Sequence, residues 1–301
     1  MTPTPETTSR HDAVTMASVA QQAAARLVAA GYEPAAARQD VGVLARHVLR
    51  WDAAAWLASQ HEAAPCDFAP ALLRLVEQRA ARRPVAYIVG EREFYGRTFR
   101  VSEAVLIPRP ETEDLVDAAL EVLRSPALAA RANPPRVLDV GTGSGCLAIT
   151  LALEAPAAEV HATDISADAL ALARENATRL GAADRVTFHR APLAGPSQDV
   201  DVIVANPPYV PLRDRATLSP DVRDHEPAVA LFGGDDGLDV IRTLLPDAAR
   251  ALRPGGMLIM EIGLGQAGAV ESLVGLAGLH WMGARADLAG IPRVIVARRT
   301  V

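Results

Sequence analysis

The sequence predicts an α/β fold, a mostly parallel sheet covered on both faces, preceded by a small all-helical domain. Three observations carry this. Strand-like and helix-like segments alternate from Arg136 onward, as parallel strands joined by crossover helices require. Residues 14 to 80 place apolar side chains at helical spacing and contain no obvious strand. Between the two regions, after Arg82-Arg83-Pro84, lies a β-hairpin signal. A chain of 301 residues is long for one compact domain, so one large and one small domain is the natural division.

Residues 1–12 are polar, with several Thr and Pro and no apolar run. They are expected to form a disordered tail, not a secretion signal. Residues 13–82 are expected to form the helical domain. Val19-Ala23-Leu27 and Val41-Leu44-Val48 mark its first two helices, Gly31 ends the first and Pro34 starts the second. Trp51 and Trp56 lie on a third short segment and Leu72-Leu73-Val76 on a fourth; both tryptophans read as core of this domain. Residues 83–110 read as a linker holding the hairpin, Glu93-Phe94-Tyr95 and Thr98–Val101 turning around Gly96. Residues 111–301 form the α/β domain. Thr112 or Glu111 is placed to cap the helix running through Leu123. Strands are expected at Arg136–Val140, Glu159–Asp164, Arg185–His189, Val200–Ala205 and Met257–Ile262, and two further apolar segments at Leu279–Gly283 and Arg293–Ala297. Helices are expected at Ala167–Leu180 and Asp239–Leu252.

Composition excludes several classes. The net charge of −6 argues against a broad electrostatic grip on nucleic acid. All 30 basic residues are arginine, a bias that carries no functional weight. The two cysteines, Cys66 and Cys146, have neither CxxC spacing nor a partner histidine pattern, so neither a zinc site nor a disulfide framework is suggested. No run approaches the length of a membrane-spanning helix. A reduced, cytoplasmic setting with no membrane association is expected.

Val137–Val140 is followed by Gly141-Thr142-Gly143-Ser144-Gly145 and then Cys146-Leu147-Ala148-Ile149, a strand, a glycine turn and a helix. Glycines let backbone approach a ligand where a Cβ would clash, and the helix start presents free N–H groups. Nineteen residues after Gly145, Asp164 ends the next strand, where a carboxylate is placed to accept both hydroxyls of a ribose. The Gly-x-Gly-x-Gly spacing differs from the Gly-x-Gly-x-x-Gly of nicotinamide enzymes. Asp139 beside the loop would repel a diphosphate and tolerate a cationic sulfonium. Both points favour S-adenosylmethionine over NAD.

Asn206-Pro207-Pro208-Tyr209 follows the Val200–Ala205 strand, hence the carboxyl end of the sheet, where open α/β folds bind ligands. An amide or aryl amine nitrogen is a poor nucleophile because its lone pair is delocalised. The Asn206 side-chain oxygen is placed to accept one N–H and the Pro207 carbonyl the other, draining positive charge as it develops. The prolines stiffen the turn, and Tyr209 is expected to offer a flat face to a planar group. The expected catalytic residues are therefore Asn206, Pro207 and Tyr209, with Asn206 to Tyr209 binding substrate. Gly141, Thr142, Gly143, Ser144, Gly145, Asp164 and Asn206 are expected to bind cofactor. The substrate nitrogen stays open at this point between an amide and an adenine amine.

The chain resembles the protein-(glutamine-N5) methyltransferases that act on peptide chain release factors. The resemblance covers about residues 80 to 300. It rests on Pro84–Gly90, Glu93–Gly96, Leu106-Ile107-Pro108-Arg109-Pro110-Glu111-Thr112-Glu113, Glu226–Gly237, and Asp287-Leu288-Ala289-Gly290 with Arg293-Val294. It implies a Rossmann-like class I methyltransferase fold with a seven-stranded sheet and a helical N-terminal domain for substrate recognition. It implies methylation of the glutamine of the Gly-Gly-Gln loop of class I release factors, a protein methylation in translation termination. Transfer would run directly from sulfonium to amide nitrogen, without covalent intermediate or metal. One departure stands out. An acid followed by a bulky residue usually flanks the adenine after the third strand, and Arg190 and Ala191 stand there, so a weaker or differently held adenine is expected.

His161, His189 and Cys146 read as ordinary strand or packing residues, and Arg109 and Glu111 as shaping the mouth of the site. Two rivals remain on sequence grounds. One is adenine-N6 methylation of DNA or RNA, which poses the same nitrogen problem. The other is a cofactor-binding interaction protein with weakened catalysis.

Overall fold

The computed structural model describes residues 14–129, 131–287 and 289–300. The expected tail at 1–12 lies outside them. The chain divides into two units, Met1–Val89 and Gly90–Val301.

Among the described residues the first unit carries five helices: α1 (Met16–Ala29), α2 (Pro34–Leu49), α3 (Ala53–Ser59), α4 (Phe68–Ala80) and α5 (Val85–Val89). Local chemistry sets these limits. Thr15 Oγ1 accepts the Ser18 amide at 3.1 Å to cap α1, and Gly31, at φ +86°, turns the chain out of it. Pro34 occupies the first turn of α2, and Asp52 caps α3. Leu27, Leu44, Phe68 and Leu72 are fully buried in this unit's own core, with Trp51 and Trp56 half-buried against it. The expected boundary falls too early. Residues 85–89 form α5 inside the first unit, and the hairpin belongs to the second.

The second unit opens with that hairpin, β1 (Glu91–Phe94) and β2 (Arg97–Arg100), paired antiparallel. A 3-10 turn at Pro110–Thr112 leads into α6 (Glu113–Leu123), followed by α7 (Pro126–Ala129). Then come β3 (Arg136–Val140), α8 (Cys146–Glu154), β4 (Glu159–Asp164), α9 (Ala167–Arg179), β5 (Val186–Arg190) and β6 (Val200–Ala205). The short helices α10 (Pro220–His225) and α11 (Ala228–Leu231) precede α12 (Asp239–Ala251), β7 (Leu252–Glu261), α13 (Ala267–Leu276), β8 (Leu279–Ala286) and β9 (Pro292–Arg299).

Seven strands lie in the order β5-β4-β3-β6-β7-β9-β8. The pairs among β3 to β7 are parallel, and β9 is antiparallel to both neighbours. This is the mostly parallel seven-stranded sheet that the resemblance implies. Alternate residues of each central strand feed two cores. Val137, Val202 and Ile259 face one, with α6 and α8; Leu138, Ile203 and Leu258 face the other, with α12 and α13. Every residue of β6 is buried, as a central parallel strand requires. Strand β7 begins earlier than the sequence suggests. It starts at Leu252, not at the expected Met257, and the sheet absorbs Pro254-Gly255-Gly256 as a register shift between Val200 and Val202 on β6.

The order runs outward from β3 to β5, then returns to β6 on the other side of β3. The crevice between β3 and β6 is therefore the switch point where such sheets bind ligands.

Candidate active site

The glycine loop leaves β3 on one side of that crevice and Asn206-Pro207-Pro208 leaves β6 on the other. Both line one cavity of about 260 Å³, with Asp164, Ile165, Ser166, Ala191, Pro192 and Leu193 forming another part of its wall. Residues 104–106, Pro108, Arg109, Thr112, Val229 and Ala230 contribute to the wall as well.

Gly141, Gly143 and Gly145 have φ of +74°, +55° and +82°, a region side chains disfavour. Around Gly141 and Gly143 an added Cβ would meet nothing within 4 Å; at Gly145 it would lie 2.8 Å from Ile149 Cδ1. The first two glycines thus leave backbone open to a ligand, and the third lets α8 and α9 approach. The amides of Gly141 and Thr142 both donate to the Thr163 carbonyl at 2.9 Å. Asp164 Oδ2 accepts the Gly143 amide and Oδ1 the Ser166 amide, each at 2.9 Å. A loop of exposed backbone beside a cavity-facing carboxylate fits an adenosyl cofactor.

Asp139 does not face the cavity. It is completely buried, and its Oδ2 accepts the Thr142 hydroxyl at 2.6 Å and the Ala148 amide at 3.2 Å. Burial pushes its carboxyl up to about 7. It shapes the loop from behind, so the expected charge discrimination at this position does not act by contact. Arg190 is also absent from the wall; its Nε donates to the Ile165 carbonyl at 3.3 Å on the surface. Ala191, the position where a bulky residue is usual, lines the cavity together with Pro192 and Leu193.

Tyr209 is turned the other way from expectation. Its hydroxyl donates to Glu261 Oε1 at 2.8 Å, its ring packs on the core beneath the sheet, and it is absent from the cavity wall. Burial and the adjacent carboxylate raise its phenol well above the usual range. Thr112 does not cap α6 with its side chain. Its hydroxyl donates to Glu261 Oε2 at 2.8 Å, and Asn206 Nδ2 donates to Thr112 Oγ1 at 3.1 Å.

The 226–237 segment cradles the tetrapeptide. An added Cβ at Gly233 would lie 2.5 Å from the Pro208 carbonyl oxygen, and one at Gly237 would overlap that of Tyr209. Gln266 Nε2 donates to the Tyr209 carbonyl at 3.0 Å. Glu226, side chain 1 % exposed, pairs with Arg109 at 2.5 Å and accepts the Ile107 amide at 3.1 Å. Arg109 therefore both lines the cavity and anchors its mouth, while Glu111 stays exposed.

His161 and His189 stack 5.5 Å apart on the sheet, outside the cavity. Cys146 lines the cavity, but burial pushes its thiol up to about 12, so it is a poor nucleophile.

Sequence reasoning missed Thr112 as a tertiary partner, Glu261 and Gln266. A signal existed for Glu261. It ends an apolar strand as Asp164 does, and carboxylates at the carboxyl ends of such strands belong to the site side of the sheet.

Residues 112–219 match the Methyltransferase small domain family, and residues 18–90 match the PrmC N-terminal domain. The chain is 43 % identical over 284 residues to the release factor glutamine methyltransferase of Cereibacter sphaeroides, covering 94 % of this chain and 98 % of that protein. It is 44 % identical over 279 residues to the namesake from Deinococcus radiodurans, covering 92 % and 96 %. A solved methyltransferase from Pyrococcus furiosus shares the fold, with a TM-score of 0.50 and 16 % identity, covering 75 % of this chain and all of that one.

Proposed function

The chain belongs to the release factor glutamine methyltransferase family, and from that premise we propose that it uses Asn206 and Pro207 to methylate the glutamine of the Gly-Gly-Gln loop of class I release factors. The observation that carries this is the shared cavity. The glycine loop and Asp164 form one wall and Asn206-Pro207-Pro208 another. S-adenosylmethionine, when bound, supplies an electrophilic methyl group on a sulfonium.

Gly141 to Gly145 and Asp164 hold the cofactor, the backbone by close approach and the carboxylate by accepting ribose hydroxyls. The Asn206 Oδ1 and the Pro207 carbonyl accept the two N–H groups of the substrate amide. That aims its nitrogen at the methyl and draws off charge as the N–C bond forms. With the cofactor bound, methyl transfer would leave one surplus proton on the amide nitrogen, which solvent would take up; Asn206 and Pro207 contribute alignment and relief of the developing charge. Rigid prolines keep this alignment at little ordering cost. The helical unit is assigned to recognition of the release factor. A cytoplasmic setting fits action on release factors. Among the described residues no helix is long and apolar enough to cross a membrane.

The test is direct. The protein is incubated with methyl-labelled cofactor and, separately, a class I release factor and duplex DNA. Label is expected on the release-factor glutamine, and Asn206→Ala is expected to remove most turnover while cofactor binding survives. Label in DNA, or near-normal turnover of Asn206→Ala, overturns the assignment.

A further inference from the structure

An asparagine amide has one accepting end and one donating end. The reading of Asn206 as an acceptor for the substrate N–H requires that its oxygen, not its NH₂, face the cavity. Something must decide which. Behind Asn206 stand two buried groups, Thr112 at 3 % exposure and Glu261 at 2 %.

The chain of donors runs in one direction. Burial works against the charge on Glu261, while the Thr112 and Tyr209 hydroxyls and the Arg293 guanidinium favour it; in that ionised form a carboxylate only accepts. Glu261 accepts the Thr112 hydroxyl on Oε2 and the Tyr209 hydroxyl on Oε1, both at 2.8 Å. The Thr112 hydroxyl has one proton, and Glu261 takes it. Toward Asn206 the Thr112 oxygen then has only lone pairs to offer. The Asn206 atom 3.1 Å from it must be the donating nitrogen. A reversed amide would set two acceptor oxygens against each other, and leaving the buried Thr112 oxygen facing another acceptor is costly.

We propose that Thr112 and Glu261 are positioning residues that lock the Asn206 amide with its oxygen toward the cavity. The lock makes the site selective for a nitrogen that still carries hydrogen. The inference rests on the reading of Asn206 given above. Tyr209 serves the same lock from the other side of Glu261, holding the second carboxylate oxygen so that the first stays aimed at Thr112.

The experiment is a double-mutant cycle on turnover. Thr112→Val keeps the shape of the side chain but neither donates nor accepts. Thr112→Ser keeps the hydroxyl. Thr112→Val is expected to lower kcat about tenfold, the loss of one oriented hydrogen bond, with cofactor Kd unchanged. Thr112→Ser is expected to restore most of the rate. In the Asn206→Ala background, Thr112→Val is expected to have no further effect on the residual rate. Glu261→Gln provides an independent variant with the same expected pattern. A merely structural role predicts the same fold-loss in both backgrounds, and that result overturns the lock. So does unchanged kcat in both Thr112→Val and Glu261→Gln. If Asn206→Ala itself turns over normally, the underlying reading of Asn206 fails, which is a distinct outcome.

Discussion

Asp164 Oδ2 accepts the Gly143 amide at 2.9 Å, so the acid ending β4 holds the middle of the loop that follows β3. One carboxylate thus sets the loop and faces the cavity. Asp164→Ala is expected to raise the cofactor Kd at least about tenfold, as a charge-assisted contact and the loop anchor are lost together. Asp164→Asn is expected to fall between, since its amide keeps an acceptor for only one of the two backbone donors. Titration calorimetry measures both; a Kd within twofold of wild type for Asp164→Ala refutes the role.

Gly233 and Gly237 have no space for a side chain because the tetrapeptide backbone occupies it. Gly233→Ala is expected to lower kcat at least about tenfold by shifting Pro208, since small misplacements of reacting groups carry large rate penalties. Gly42→Ala is the contrast. Gly42 sits in α2 with nothing within 4 Å of an added Cβ, so it is expected to stabilise the protein by about 0.5–1 kcal/mol in chemical denaturation, with turnover unchanged.

Asp139 makes stability depend on pH. Its folded carboxyl titrates at about 7 against 3.8 for the ordinary group. Below the lower value both folded and unfolded chains are protonated, and the folded state keeps its full stability. As pH rises toward 7, the unfolded chain gains by ionising and the folded chain does not. Stability is therefore expected to fall by on the order of 4 kcal/mol between pH 4 and pH 7, then level off. Asp139→Asn keeps one oxygen for Thr142 and Ala148, which share Oδ2. It is expected to flatten this contribution in urea titrations at several pH values; an unchanged slope shows that Asp139 is not its source.

The Arg109–Glu226 pair is lopsided, with the arginine side chain 32 % exposed and the glutamate 1 %. Removing the exposed partner strands the buried one. Arg109→Ala is expected to destabilise by about 3 kcal/mol. Glu226→Gln, which keeps an oxygen for Ile107, is expected to be milder. Thermal denaturation of both variants decides, and equal losses contradict the argument.

Ala191 lines the cavity and Arg190 does not. Arg190→Asp is expected to leave the cofactor Kd within about twofold of wild type, as exposed charges contribute little. Ala191→Trp is expected to tighten it about fivefold through an added aromatic face. No change in the second variant removes Ala191 from the adenine wall.

The strands, the glycine loop and the tetrapeptide were legible because each is written in consecutive residues, with apolar runs, positive-φ glycines and prolines carrying the message. Thr112 was not. A hydroxyl ahead of a helix reads as a cap, yet its partner Glu261 is 149 residues away, and no local pattern specifies such a pairing. The orientation of Tyr209 escaped for the same reason. The sequence places it after two prolines but says nothing of the carboxylate that draws its hydroxyl inward. Asp139 was misread because proximity in sequence to a ligand loop does not say which side of the loop a side chain takes.

Asn176 on α9 is fully buried and makes three bonds at once. It accepts the Arg100 amide at 2.8 Å, donates to the Arg100 carbonyl at 3.0 Å, and donates to the Ser144 carbonyl at 2.9 Å. One side chain therefore spans the end of the hairpin and the glycine loop. Opening the hairpin strips the loop of a partner, and a loop held shut keeps the hairpin closed. The two behave as one cooperative unit of local unfolding. Amide protons of β1 and β2, far along the chain from the glycine loop, should exchange more slowly as that loop fills, so their exchange reports occupancy of the cavity from a distance.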